Sequence, residues 1–530
     1  MYTASYPDGI NFAFFLANSL RAQFTRGFRK PMVATDWSLI SSLFCTLKSL
    51  VYAVAGRLDD AHRGLHQNPN SPVQKREVAF SPVHRMPTEL ILLIFTFALP
   101  PFATSGGLSS VQEGPWVFSA VCSRWRAIVL SRPSLWATIF LDFTHEDWES
   151  PSFKTIKPRL EAHLERSKQV PLHITFRAFW HETHSREREL RVLHLLALHS
   201  DRWETISFTG SSMLYYHLDS IRGNLSQLRA IDIRVRQEHC VPRGGPLTLF
   251  DSCPMLQEAF VNPGRYGGDR PIAVDLPFSQ LRRYSGSNSW ANHAYVLRAT
   301  SSNLVDCVLH LIGSPASSES PILLPHLRRL SVSSTDLLEL LDTPALEELY
   351  CHHSTHLPAF LLRVLALQKL FVADISSISH LEPLLRAAPT VTELCLYLPV
   401  QFAAHLFTIL LGTRPSDDGV PALALRALSL CFVPDFDRAL SSSAPAPVDQ
   451  DTLMRSVEAQ GALRSLKLYG GSGSGVEFLP EHLRSRSRSR SHAVEIVRFP
   501  SSSSLYADMV PEDFRLCNLD PDPYVPYAYL

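Results

Sequence analysis

The sequence predicts an α/β chain, a small all-helical module followed by an irregular solenoid of strand-and-helix units. Two observations carry this reading. Between residues 82 and 136 the apolar side chains recur at helical spacing. From about residue 139 they fall instead into short runs of the form L-x-x-L-x-L, separated by turns. The composition permits it, because 45% hydrophobic against 19% charged residues over 530 positions can bury a large core.

Residues 1–80 combine apolar pieces such as SLFCTLKSLVYAVAG with the polar, proline-bearing stretch HQNPNSPVQKRE, which has the composition of a linker. One or two short helices are expected there at most. The helical module, residues 81–138, then opens with MPTELILLIFTFAL. Pro87 suits a first helical turn, where its missing N–H would go unpaired, and Glu89 favours the positive helix end. Leu90, Leu93, Ile94 and Phe97 form one stripe, and Ile91, Leu92 and Phe95 make the other faces apolar too. A short helix that is apolar nearly all round must be covered on more than one side. One cover comes from its own chain, and the other is available to a partner.

The insert PPFATSGGLSSVQEGP separates this helix from a second, PWVFSAVCSRWRAIVLS, predicted as one continuous element. Its stripe runs through Phe118, Val121, Cys122 and Trp125 to Ile128 and Val129, and Ser131 and Pro133 stop it. SLWATIF supplies a short turn with Trp136 and then the first strand.

Residues 139–500 are read as the repeats. Taking the middle apolar residue of each unit as its mark gives Ile206, Ile231, Phe260, Tyr284, Cys307, Leu330, Leu349, Leu370, Leu394, Leu428 and Leu466. The first eight intervals lie between 19 and 29 residues, close to the period of leucine-rich repeats, and the last two, 34 and 38, imply insertions. In L-x-L the alternate apolar residues of a short strand point one way, so a single unit leaves a face that only stacking can cover. STDLLELLD and LEPLLRAAP supply helical stretches between strands, and the result is a curved solenoid. The asparagine ladder of regular repeats is missing, so irregular units are expected. Residues 501–530 are a C-terminal tail.

The module resembles the F-box-like domains of fungal proteins, in which a P-x-E-[LI] helix is followed by a variable insert, a V-C-x-x-W-R helix and a P-x-L-W segment. Here these are Pro87-Thr88-Glu89-Leu90, Val121-Cys122-Ser123-Arg124-Trp125-Arg126 and Pro133-Ser134-Leu135-Trp136. Met86 stands where that family usually has leucine. The resemblance covers roughly 55 residues, and degenerate leucine-rich repeats after such a module extend it loosely to the C-terminus. It implies an adaptor that docks on the Skp-type subunit of a cullin-RING ubiquitin ligase while its repeats hold an unknown protein substrate. Met86, Pro87, Leu90, Ile91, Ile94 and Phe95 then correspond to the docking helix's contact set. Val121, Cys122, Trp125 and Trp136 correspond to a mixture of module core and contact. The alternatives are a repeat scaffold that recruits no ligase, and an enzyme hidden downstream of residue 139.

Other function classes find little footing. Lys plus Arg equals Asp plus Glu at 50 each, so no net field draws in nucleic acid or an anionic membrane. The apolar run Leu90 to Leu99 ends at Pro100, far short of the ~20 residues of a membrane span. Ile10 to Leu16 lacks the flanks of a signal peptide, and a cytoplasmic or nuclear protein is expected. Nine scattered cysteines without C-x-x-C argue for reduced thiols rather than disulfides or zinc.

No cofactor and no catalytic residue is assigned. No lysine follows a glycine, and GGSGSGVEF fits neither G-x-S-x-G nor G-x-G-x-x-G. HETH at His181 to His184 has the wrong spacing for a zinc protease helix. Cys351, His352, His353 and His356 are read as a turn between repeats, and Arg484 to Arg490 in RSRSRSR as a solvated loop.

Overall fold

A computed structural model describes residues 86–99, 114–143, 153–178, 187–211, 214–215, 217–236, 248–262, 274–313, 320–375, 377–399, 425–433, 465–471 and 493–499, with the single positions 402, 405, 406, 409 and 463. The expectations for residues 1–80, HETH, RSRSRSR and the 501–530 tail lie outside them. The chain divides into two compact units, residues 1–227 and 228–530. The predicted boundary between residues 138 and 139 falls inside the first.

Among the described residues, the first unit carries helix α1 (Thr88–Ala98), α2 (Pro115–Val121), α3 (Ser123–Leu130) and a 3-10 turn at Pro133–Trp136. Strands β1 (Thr138–Asp142), β2 (Leu172–Arg177) and β3 (Trp203–Ser211) follow, alternating with helices α4 (Phe153–Arg166) and α5 (Glu187–Ala197). The strands pair in parallel, and register lines up Ile139, Ile174 and Ile206 in one row and Leu141, Phe176 and Phe208 in the next. All six are buried. α5 turns Val192, Leu193 and Leu196 inward, the i, i+1, i+4 signature of a helix with one apolar side.

The second unit carries β4 (Ala230–Arg236), β5 (Glu258–Asn262), β6 (Arg283–Asn288), β7 (Asp306–Leu311), β8 (Ile322–Leu323), β9 (Arg329–Val332), β10 (Leu341–Asp342), β11 (Glu348–His353), β12 (Lys369–Asp374), β13 (Glu393–Pro399), β14 (Ala427–Val433), β15 (Ser465–Gly471) and β16 (Ala493–Phe499). Helices α6 (Trp290–Thr300), α7 (Leu357–Leu361) and α8 (Leu381–Ala387) lie between them in sequence. Strands β4 to β7, β9 and β11 to β16 follow chain order in one parallel sheet, and β8 pairs with β10 separately. This is the repeating α/β arrangement that the leucine period predicts.

The predicted marks fall on the strands and, from Ile231 onward and with one exception, in register. Tyr284, Cys307, Leu330, Leu349, Leu370, Leu394, Leu428 and Leu466 are successive partners. They form a buried row that closes on the helix side. The exception is Phe260. Ala259 occupies the row, paired with Ile231 and Tyr284, and Phe260 faces the other side beneath the Arg234 guanidinium. A pattern search favours the larger side chain; the packing here takes the small one.

The missing asparagines are replaced by backbone. At the entry to β5, β6, β7, β9 and β11 to β14, one carbonyl accepts two consecutive N–H groups of the next unit. Arg229 O takes Gln257 and Glu258, Gln257 O takes Arg282 and Arg283, and Arg282 O takes Val305 and Asp306. The same device continues through Val305, Arg328, Glu347, Gln368 and Thr392. These turn amides therefore have partners without a side-chain ladder. STDLLELLD differs from its predicted helix: Thr335–Leu340 is 3-10 and Leu341–Asp342 is strand. LEPLLRA is helical as expected.

Candidate docking surface

α1 starts where the sequence places it, one position later in detail. Pro87 is extended and caps the helix, and its carbonyl accepts from Ile91 N at 3.2 Å. Glu89 lies in the first turn, where negative charge meets the free N–H groups. Arg124 of α3 donates to the Met86 carbonyl at 2.6 Å, which fixes the entry to the helix.

The second helix is not continuous. Cys122 is extended and divides it into α2 and α3. The break is stabilised by local polar bonds that compete with helix continuation. The Cys122 Sγ accepts from Trp125 N at 3.5 Å, and Arg126 Nε donates to the Ser119 carbonyl at 2.9 Å near the end of α2. Gly114, with φ at +64°, makes the turn into α2, a conformation in which a side chain would be strained.

The module core is aromatic. Phe95 lies between Phe118, stacked at 4.4 Å, and Trp125, edge-on at 4.9 Å. Trp136 donates its Nε1 proton to the Val129 carbonyl at 3.0 Å and meets Trp116 edge-on at 5.0 Å. The Arg166 guanidinium of α4 sits over both Trp116 and Trp136, at 4.6 and 4.4 Å. A cation against two indole faces adds electrostatic attraction to packing.

Between these rings lies His163, which is buried. Its Nε2 accepts from Trp116 Nε1 at 2.9 Å, and its Nδ1, 3.3 Å from the Trp136 carbonyl, donates to it. That arrangement needs a neutral ring. Burial, with a further push from Arg166, brings its pKa down to about 4, against the opposing effect of the Trp136 carbonyl.

Of the ten residues singled out by sequence, Ile91 and Phe95, expected in the contact set, are 1% and 0% exposed and hold the module together, and Trp136, expected as core or contact, is fully buried in the core. The correction has a geometric cause. Ile91 and Phe95 are one turn apart on the side of α1 that meets α2 and α3, roughly 100° and more around the helix from Leu90. Leu90 remains 48% exposed, Pro87 is exposed, and Met86, Ile94, Cys122 and Trp125 are half-buried. Val121, predicted within the second stripe, is exposed because the stripe breaks at Cys122.

Leu93, outside the expected contact set, is 51% exposed, and its i+3 spacing from Leu90 puts the two on a shared side. α1 thus has two faces. Ile91 and Phe95 enter the core, while Leu90 and Leu93, flanked by Ile94 and Met86, present apolar surface outward.

The Cys351-to-His356 segment ends β11 and turns into α7. The Cys351 thiol is buried, its pKa pushed well up by burial, and it donates to the Phe371 carbonyl. His353 pairs with Asp374 at 3.1 Å, and His356 contacts Glu339 at 2.9 Å. Among the described residues no group of three or more His, Cys, Asp or Glu is placed to hold a metal ion. No described helix is long and apolar enough to cross a membrane.

No protein-family model matches the chain, and no curated protein does. Among solved structures it is similar to a chain of a TLR13–ssRNA13 complex, at 12% identity and a TM-score of 0.30, over 59% of this chain and 41% of that one. It is also similar to a chain of the Rad7 and Elc1 complex in yeast, at 12% identity and a TM-score of 0.29, over 70% and 94% of the two chains.

Proposed function

We propose that this chain is the substrate-recruiting adaptor of a Skp-cullin-F-box type ubiquitin ligase. The outward face of α1 would dock the Skp-type subunit, and the repeats would hold the protein to be modified. One observation carries the reading: α1 uses Ile91 and Phe95 to fold and still leaves Leu90 and Leu93 half exposed. A helix built only to complete a core has no use for a second apolar side, and burial of such side chains is what gives protein interfaces their affinity. The order of P-x-E-L, V-C-x-x-W-R and P-x-L-W around this face supports the same assignment.

The adaptor role requires no catalytic side chain in this protein. Rate enhancement comes from holding substrate lysines near the charged conjugating enzyme, which turns a bimolecular encounter into a local one.

The test is co-purification of the full chain with a recombinant Skp-type adaptor, comparing wild type with the Leu90→Ala/Leu93→Ala double variant and with Leu198→Ala, a surface leucine of the first unit 76% exposed. The double variant should bind about 10- to 100-fold more weakly and keep its thermal stability, with Leu198→Ala unchanged. Failure of the wild-type chain to bind the adaptor defeats the proposal and leaves a repeat scaffold that recruits no ligase.

A further inference from the structure

One row of side chains on the sheet is charged throughout the middle of the second unit. It lies one residue before the leucine row, on the opposite face, because side chains alternate along a strand. Reading across the paired strands β5, β6, β7, β9, β11, β12 and β13, its members are Glu258, Arg283, Asp306, Arg329, Glu348, Lys369 and Glu393. The sign changes at every step. The neutral Ala230 and Ala427 bound the row at its two ends.

Direct ion pairs join two of the neighbouring pairs. Arg329 makes a two-pronged ion pair with Asp306, and Arg283 reaches Glu258 at 3.5 Å. Asp306, Arg329 and Arg283 are partly buried, so water screens them less than surface charges. Glu348 accepts from the Tyr350 hydroxyl at 2.7 Å, and the Lys369 ammonium sits 5.5 Å over the same ring.

We propose that this row is an ionic code that fixes the order and register of the seven central strands. Parallel neighbours lie roughly 4.8 Å apart, so each of the five inner charges meets one on either side. Like charges directly opposite destabilise a sheet, and unlike charges stabilise it. The leucine row alone cannot choose between partners from β9 to β13, because Leu330, Leu349, Leu370 and Leu394 present the same apolar knob. With the charges in place, a unit that skips one neighbour meets its own sign. Strand order is thereby specified by chemistry as well as by chain connectivity. The inference is independent of any docking by α1.

The experiment compares three full-length variants by thermal melting and by amide hydrogen exchange in β7, β9 and β11. Arg329→Gln removes one charge, and Arg329→Glu places three acids in succession. The third variant inverts all seven signs through Glu258→Lys, Arg283→Glu, Asp306→Lys, Arg329→Glu, Glu348→Lys, Lys369→Glu and Glu393→Lys. Arg329→Glu should melt several degrees below Arg329→Gln, and 1 M NaCl should narrow that gap. The inverted row, alternating again, should melt and exchange closer to wild type than Arg329→Glu does. Equal melting of the two single variants, or an inverted chain no more stable than Arg329→Glu, overturns the proposal.

Discussion

Trp116 donates its indole proton to His163 at 2.9 Å, and this bond ties the second helix of the module to α4 beside the first strands. The bond forms only when His163 Nε2 carries a lone pair. Fold and protonation state are therefore linked at this point.

Acid should weaken the fold through this residue and through one in the second unit. His293, also buried, faces the Tyr284 hydroxyl at 3.4 Å and donates from Nε2 to the His310 carbonyl. Burial lowers both pKa values to about 4, against an ordinary value of 6.5. Between those limits the unfolded chain binds protons that the folded chain refuses. Stability is then complete above pH 6.5 and is lost as pH falls toward 4, by roughly 3 kcal/mol per histidine. Thermal melts from pH 7.5 to 4 should show the decline, and a His163→Gln/His293→Gln variant should show a shallower one. An unchanged slope in that variant excludes these two residues as its source.

Core and surface positions on α1 should separate cleanly. Phe95→Ala removes a ring packed on Phe118 and Trp125 and should cost about 3–5 kcal/mol. Leu93→Ala, on the outward side, should lie within about 1 kcal/mol of wild type. Limited proteolysis in the module reports the difference, and comparable sensitivity of the two variants contradicts the two-faced helix.

Cys122 gives a test of the helix break. Serine is a strong N-cap residue, so Cys122→Ser should preserve the cap on Trp125 N, whereas Cys122→Ala should lose about 1 kcal/mol. Chemical denaturation of the pair measures this; equal midpoints mean that the thiol contact contributes nothing.

Gly286 stands on the inner side of β6, and a methyl group there would clash with the Tyr284 hydroxyl and lie 3.2 Å from the His293 ring. Gly286→Ala should destabilise the second unit by about 1–3 kcal/mol or more through overpacking. Melting temperature is the readout, with wild-type stability as the contrary result.

The parts of the fold legible in the sequence were those with strong periodicity. α1 and the row from Tyr284 to Leu466 follow directly from apolar spacing. Ala259 was hidden because a small side chain gives a weak hydrophobic signal beside Phe260. The split at Cys122 was hidden because the apolar stripe continues through it, and only hydrogen bonds reveal that it bends. The apolar character of α1 announced an excess of surface, but its division between Ile91 and Leu90 depends on where α2 and α3 pack. The alternating charges escaped notice for a different reason: they lie 19 to 25 residues apart, and their order has meaning only after the strands are aligned.

The doubled amide bonds at these strand entries bear on how such a chain comes apart. From β5 to β14, every unit is hooked to its predecessor by two protons on one oxygen. A middle unit cannot let go without breaking the hooks on both of its sides, whereas a terminal unit breaks only one set. Loosening should therefore run inward from the ends, like rings slipping off a rod, and the central strands should be the last to exchange their amides with solvent.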